Sequence, residues 1–335
     1  MEINKKELEE ALEVVKPGLA NKEIVEQATS FAFVKGKVVT YNDEISISHP
    51  VKGLEITGAV EADTLYKLLS KAKSDTLSLS LKDNQILLSQ GKMQAGFTLQ
   101  ADIKLPINEE VADIGKWKEL PKRFSEFLEL TIPSASKDMS RPVLTCVHVS
   151  EEGFMEASDS FCVTRCRFEE ELQVNTFLIP AQSAIQIIRV SPDMVAEGKG
   201  WIHFKNQADT VISCRVFEDK FPDASHLLQV EGHEVTLPET IAEALDRASI
   251  VAKRDHPLEE MVTVEIKDKT LTISSSAKES WFQEELRVNF REHIKFVITP
   301  YLLKKILART KDCIVGDSKL KFEGDGWVYI AALRV

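Results

Sequence analysis

A chain of 335 residues exceeds one typical globular domain and is long enough for two or three. Hydrophobic residues at 43% and charged residues at 28% supply a buried core, and no stretch approaches the roughly 18 uninterrupted apolar residues of a membrane span. The formal net charge of −11 argues on its total against a nucleic-acid binder, although a total does not say where the charges sit. The opening Met1 to Glu7 is charged and lacks the apolar core of a signal peptide, so a cytoplasmic location is expected, with no membrane partner. The five cysteines form no CxxC pair and read as small buried side chains.

In chain order, Leu8, Ala11, Leu12 and Val15 recur at helical spacing and predict an N-terminal amphipathic helix. Ser30 to Val34 and Lys37 to Thr40 alternate and are β-branched, which predicts antiparallel strands. Gly58 to Val60 then leads into a helix with Leu65, Leu68 and Leu69 on one face. The series restarts at Leu120-Pro121, which opens a helix over Arg123 to Leu130; proline is tolerated there because its missing N–H would be unpaired anyway. Strands follow at Thr145 to Val149 and Phe154 to Ala157, then the strand-to-helix run Phe177 to Ile188. Leu237-Pro238 starts a third round, with a helix over Ile241 to Ala248, strands at Val262 to Ile266 and Thr270 to Ser274, and the run Phe296 to Leu307.

Phe177 to Ile188 maps onto Phe296 to Leu307 by adding 119, and onto Gly58 to Leu69 by subtracting it. Any single alignment of amphipathic segments can arise by chance, but two registers agree on nearly the same offset. The expected architecture is α+β: three repeated modules, each of two helices packed on antiparallel sheet, with boundaries at 1–112, 113–231 and 232–335. Polar, turn-rich segments after Leu105-Pro106 and Phe221-Pro222 mark the junctions.

No HExxH, GxSxG, P-loop or GxGxxG segment occurs, and the seven histidines are scattered. Asp159 between Ser158 and Ser160 reads as a polar turn ending a strand, and Glu9-Glu10, Glu109-Glu110, Glu151-Glu152 and Glu259-Glu260 read as solvated faces. A binding protein without catalytic residues, metal or cofactor is expected. An enzyme with residues dispersed among the modules is the alternative from another class.

Arg141-Pro142-Val143-Leu144, followed by Glu156-Ala157-Ser158-Asp159-Ser160-Phe161, resembles the start of the middle domain in bacterial DNA polymerase III β subunits, the sliding clamps, where an Arg-Pro-x-Leu strand precedes an Ala-Thr-Asp-Gly turn. Phe221-Pro222-Asp223 resembles that family's junction between second and third domains, and Val328 to Val335 its apolar tail. The resemblance runs the whole length in order. It implies a head-to-tail homodimer whose six modules close a ring around double-stranded DNA, holding it without sequence preference, with a polymerase that it tethers and a clamp loader as its protein partners. A clamp-like scaffold that only docks proteins is the alternative within the resemblance.

Carried over residue by residue, the likeness places the dimer interface at Phe97 and Leu99 on one end and Ile250 and Val251 on the other. These four read equally as core residues. DNA-facing cations would be Lys22, Lys67, Lys71, Lys137, Arg247, Lys304, Lys305 and Arg309, which otherwise read as a solvated surface. Lys67 and Lys71, like Lys305 and Arg309, share a helical face by their i,i+4 spacing. The groove for a glutamine-and-hydrophobic peptide of polymerase or loader would comprise Leu144, Ser158, Ser160, Val163, Pro222, His226, Leu227, Tyr301, Ala331, Ala332, Leu333, Arg334 and Val335. Departures are visible: Thr64, Ala181 and Gln182 stand where a well-known member has basic residues, and Ala331-Ala332-Leu333 replaces Met-Pro-Met. Such divergence suits a phage- or prophage-type member.

Overall fold

The computed structural model describes residues 1–73, 75–107 and 111–334. Along the chain the same order of elements recurs three times: a short strand, a helix, three antiparallel strands, a strand running into a second helix, and three more antiparallel strands. The opening helices are Lys5–Val15, Phe124–Thr131 and Ile241–Ala252, and the second helices are Ala62–Lys71, Ala181–Val190 and Pro300–Lys304. The sequence-predicted strands and helices are present at these places.

Local chemistry accounts for the helix starts and faces. The Asn4 side chain accepts from the Glu7 N–H, and the Glu61 carboxylate accepts from the Asp63 and Thr64 N–H groups, each satisfying donors that a first turn leaves orphaned. Helix Lys5–Val15 buries Leu8, Ala11, Leu12 and Val15, the stripe expected from period 3.6. Two details differ from expectation. Pro142–Thr145 is a 3-10 turn rather than a strand: the fixed φ of proline favours a helical turn, and Thr145 Oγ1 closes it by donating to the Pro142 carbonyl. The last regular helix stops at Lys304; beyond it donors three residues back (Ile306 to Leu303, Arg309 to Ile306) mix with donors four back (Leu307 to Leu303, Thr310 to Ile306), and the chain continues as turns.

The chain forms two compact units. The first comprises residues 1–125 and 172–218, and the second 126–171 and 219–335. In the first unit, Ser30–Val34, Lys37–Tyr41 and Ile45–Pro50 continue into Val211–Arg215, Trp201–Lys205 and Met194–Gly198, part of one eight-stranded sheet. The join is antiparallel, from Ser48 opposite Val211 to Ile45 opposite Cys214. In the second unit the equivalent join sets Cys162–Arg167 against Trp327–Ala332, from Cys162 opposite Ala331 to Cys166 opposite Trp327. Each unit also holds a four-stranded sheet. One ends on strand Met93–Thr98 and the other on strand Trp281–Arg287, and each of these has a sheet neighbour on one side only among the described residues.

His203, fully buried in the first unit, shows how tightly a sheet face is packed. Its Nδ1 lies 2.8 Å from Ser213 Oγ, while Nε2 has no hydrogen-bond partner among the described residues. Burial pulls its pKa down to about 4, against a smaller opposing pull from Asp113. An unfolded chain therefore takes up this proton first, so the stability tied to neutral His203 is complete above pH 6.5 and is lost as the pH falls toward 4. Thermal melts of the wild type between pH 7 and 4.5 should show a loss of up to about 3 kcal/mol from this site. His203→Gln should flatten that dependence; an equally steep fall in the variant would assign it to other groups.

Candidate functional site

The eight cations implied as DNA contacts divide by environment. Lys67 meets Asp63 at 2.7 Å, and Lys304 meets Asp246 at 2.6 Å. Arg247 grips Glu284 in a two-pronged pair, Nε to Oε2 at 2.8 Å and Nη2 to Oε1 at 2.7 Å. Arg309 stands 3.6 Å from Glu129, and Lys305 turns inward to Asp159 at 2.9 Å. Lys22, Lys71 and Lys137 are exposed, with no side-chain partner among the described residues. The helices are not uniformly basic: Lys5–Val15 carries four glutamates against two lysines, and Phe124–Thr131 has Glu126 and Glu129 with no lysine or arginine.

The implied groove residues fall within the second unit. Val163, Ala224 and Ile330 form a small apolar cluster, with Leu227, Leu228, Val230 and Val328 packed on it. The turn Ser158–Phe161 sits beside this cluster on strands Phe154–Ser158 and Cys162–Arg167. Asp159 Oδ1 accepts from the Phe161 and Cys162 N–H groups, so the residue does shape a polar turn as its sequence context predicts. Ser158 Oγ donates to the Cys162 carbonyl, and Arg141 donates to Ser160 Oγ at 2.7 Å. Tyr301 is half-buried and donates to Asp159 Oδ2 at 3.3 Å. The tail passes alongside: the Ala332 N–H donates to the Phe161 carbonyl, Leu333 is buried, and the Arg334 guanidinium lies over the Phe161 ring. Leu144 is buried below the turn, whereas Pro222 and His226 are exposed. Val335 lies outside the described residues.

Phe97 and Leu99 are buried, on and just beyond the edge strand Met93–Thr98 of the first unit. Ile250, on helix Ile241–Ala252 of the second unit, is 76% exposed, and Val251 is half-buried. The exposed Trp281, at the start of the other edge strand, carries no signal in the sequence that separates it from a core tryptophan.

A network that sequence reasoning missed braces the segment that carries Pro222, His226 and Leu227. His148, Glu156 and Arg165 are direct cross-strand neighbours on three adjacent strands. Glu156, 2% exposed, accepts from His148 Nδ1 at 2.9 Å and from Arg165 Nε and Nη2 at 2.9 and 2.7 Å. Arg165 also reaches Ser225 at 3.0 Å, and the His148 ring stacks on Phe221 at 5.1 Å. The segment carrying Pro222, His226 and Leu227 is thereby tied to the sheet. Their separations of eight and nine residues gave no local pattern; only the strand register brings them together.

These elements define an α+β protein of the DNA-clamp fold, with the same element order repeated three times. Solved structures that it resembles include DNA polymerase III β subunits. A sliding clamp of Pseudomonas aeruginosa bound to griselimycin superposes with a TM-score of 0.87 at 14% identity, covering 100% of this chain and 99% of that one. The β subunit of Thermotoga maritima gives 0.84 at 19% identity, covering 100% and 98%. That of Streptococcus pyogenes gives 0.87 at 18% identity, covering 99% of each. No protein-family model and no curated protein sequence matches the chain. Among the described residues no helix is long and apolar enough to cross a membrane.

Removing Glu156 would leave Arg165 and His148 without their shared acceptor. Glu156→Ala should lower unfolding free energy by about 3–5 kcal/mol in denaturant titration, the range for breaking a buried ion pair from one side. Glu156→Gln, which keeps an acceptor oxygen, should cost less. Equal stability of Glu156→Ala and wild type would show that the network braces nothing.

Proposed function

We propose that this chain is a non-catalytic sliding clamp: a head-to-tail dimer that encircles duplex DNA in the cytoplasm and tethers a polymerase for processive synthesis. Three modules per chain, bounded near residues 112 and 231, then make a ring of six. The observation that carries this reading is a pair of edge strands, each with a sheet neighbour on one side only among the described residues. Strand Met93–Thr98 occupies the place in its sheet that Val211–Arg215 occupies in another: Gln85 opposes Thr98 as Trp201 opposes Arg215. Strand Trp281–Arg287 corresponds in the same way to Ile45–Pro50, since Thr270 opposes Arg287 as Lys37 opposes Pro50. Two such strands meet as Val211–Arg215 against Ile45–Pro50, and their equivalents meet again as Trp327–Ala332 against Cys162–Arg167. The third junction has both halves present and unmated, and a second copy of the chain supplies the mate.

Edge strands are usually guarded by charge or proline against stray pairing. Met93–Thr98 contains neither, and Trp281 and Ile250 are each 76% exposed. Both facts suit an edge that is covered in the working assembly. Head-to-tail contacts of this kind use different surfaces on the two partners and close when the rotation between them closes. The DNA interaction would be with phosphates and independent of sequence.

A second reading, a docking scaffold that holds DNA weakly or not at all, is favoured by one observation: five of the eight implied cations already face carboxylates at 4 Å or less. Such pairs contribute less free positive charge to a phosphate backbone. Topological enclosure does not depend on them, so the dimer remains the primary test.

The register carried over from Cys214 opposite Ile45 sets Phe97 of one copy opposite Phe282 of the next. Sedimentation should therefore show a dimer. A chain bearing Phe97→Cys together with Phe282→Cys should form an intermolecular disulfide on mild oxidation, against a low background because the five native cysteines are buried. A stable monomer at micromolar concentration, or a disulfide forming no faster than with either single substitution, would overturn the ring.

A further inference from the structure

Lys305 was implied as a DNA contact, and its surroundings fit that role poorly. It follows the last turn of helix Pro300–Lys304, and its Nζ lies 2.9 Å from Asp159 Oδ2, 3.2 Å from Cys162 Sγ and 4.8 Å from the Tyr301 ring centroid. The Lys305 and Asp159 side chains are 16% and 11% exposed. An ammonium so committed has little charge to offer a phosphate and few counterions to release.

The Asp159 carboxylate is divided between two tasks. Its Oδ1 shapes the turn by accepting from the Phe161 and Cys162 N–H groups, and its Oδ2 anchors the turn to Lys305 and Tyr301. Burial would raise its pKa, but the Lys305 charge and the two backbone donors hold it below the ordinary carboxylate range, so the pair is ionic at neutral pH. The turn needs an anchor. Ser160 sits at φ 76, in the left-handed region where a residue with a Cβ is strained, and such a conformation persists when its surroundings over-determine it. Ser158 Oγ and Arg141 bind the same turn from the sides.

We infer that Lys305 is a positioning residue for partner docking: through Asp159 it fixes the Ser158–Phe161 turn, so that the Ser158 and Ser160 side chains present a rigid polar rim to an incoming peptide. The inference rests on the docking part of the proposed function and assigns Lys305 to partner binding instead of DNA binding. Pre-organising a binding loop raises affinity by lowering the ordering cost at the moment of binding.

The test uses the full chain and a fluorescein-labelled synthetic peptide carrying glutamine followed by leucine and phenylalanine, read by anisotropy. Lys305→Met leaves Asp159 buried without its cation and should lower the melting temperature. Adding Asp159→Asn removes both charges, keeps an oxygen for the turn N–H groups, and should restore it. Peptide affinity should fall about tenfold in both variants and recover to within about threefold in Lys305→Arg, while affinity for a linear DNA duplex stays within about twofold of wild type throughout. Hydrogen exchange provides a readout that needs no peptide: protection of the Phe161 and Cys162 amides should drop in Lys305→Met. Unchanged exchange there, or unchanged peptide affinity in the folded double variant, overturns the inference. So does a loss of duplex affinity in Lys305→Met. A wild type that fails to bind the peptide, with the exchange effect still present, overturns the docking reading while the anchoring of the turn stands.

Discussion

Backbone N–H and C=O groups along the rim of a sheet need partners, and the way this chain finds them governs its whole organisation. Strand Ile45–Pro50 cannot complete its pairing within its own run of three strands. It takes Val211–Arg215, more than a hundred residues later, as Cys162–Arg167 takes Trp327–Ala332. Each join puts apolar side chains at matched places, Ile45 with Cys214 and Cys162 with Ala331, all buried. Helices such as Lys5–Val15 then cover one face with their apolar stripe. The proposed dimer applies the same rule once more, to two edge strands, Met93–Thr98 and Trp281–Arg287, that have a sheet neighbour on one side only among the described residues.

Electrostatics plays a different part from the one the net charge of −11 suggests. Arg247, Lys304 and Arg309 are held by acids close to them, which screens their charge. Enclosure would make strong phosphate contact unnecessary, because a closed ring is retained by topology and a lining that grips tightly would slow sliding. The buried charges serve shape: Glu156 ties the segment around Phe221 to the sheet, and Asp159 fixes a strained turn beside the apolar cluster at Val163 and Ile330. Partner docking and DNA retention are thereby assigned to largely separate sets of residues in the proposed function.

The repeated order of helices and strands was legible in the sequence because it depends on local periodicity. The alternation of Lys37 to Thr40 and the spacing of Leu8, Ala11, Leu12 and Val15 specify an element without reference to the rest of the chain. What depends on register was not legible. Nothing near His148 points to Arg165, and nothing near Ile45 points to Cys214; strand pairing decides both. The i,i+4 spacing of Lys305 and Arg309 puts both on one helical face, but the regular helix ends at Lys304 and Lys305 turns inward to Asp159. Arg141-Pro142 resembled the start of a strand, yet proline's fixed φ makes it a 3-10 turn, and this places Arg141 against Ser160. The implied groove residues rest on resemblance alone, since their own spacing carries no signature.

Enclosure of DNA is tested most directly by topology. The protein is loaded onto a nicked circular duplex with a competent clamp loader, separated from free protein at high salt, and then challenged with a restriction enzyme that cuts the circle once. A closed sliding ring predicts retention on the intact circle and prompt loss through the free ends after linearisation. Equal loss before and after cutting, or retention that salt abolishes on the intact circle, would contradict it and leave a docking scaffold that does not surround DNA.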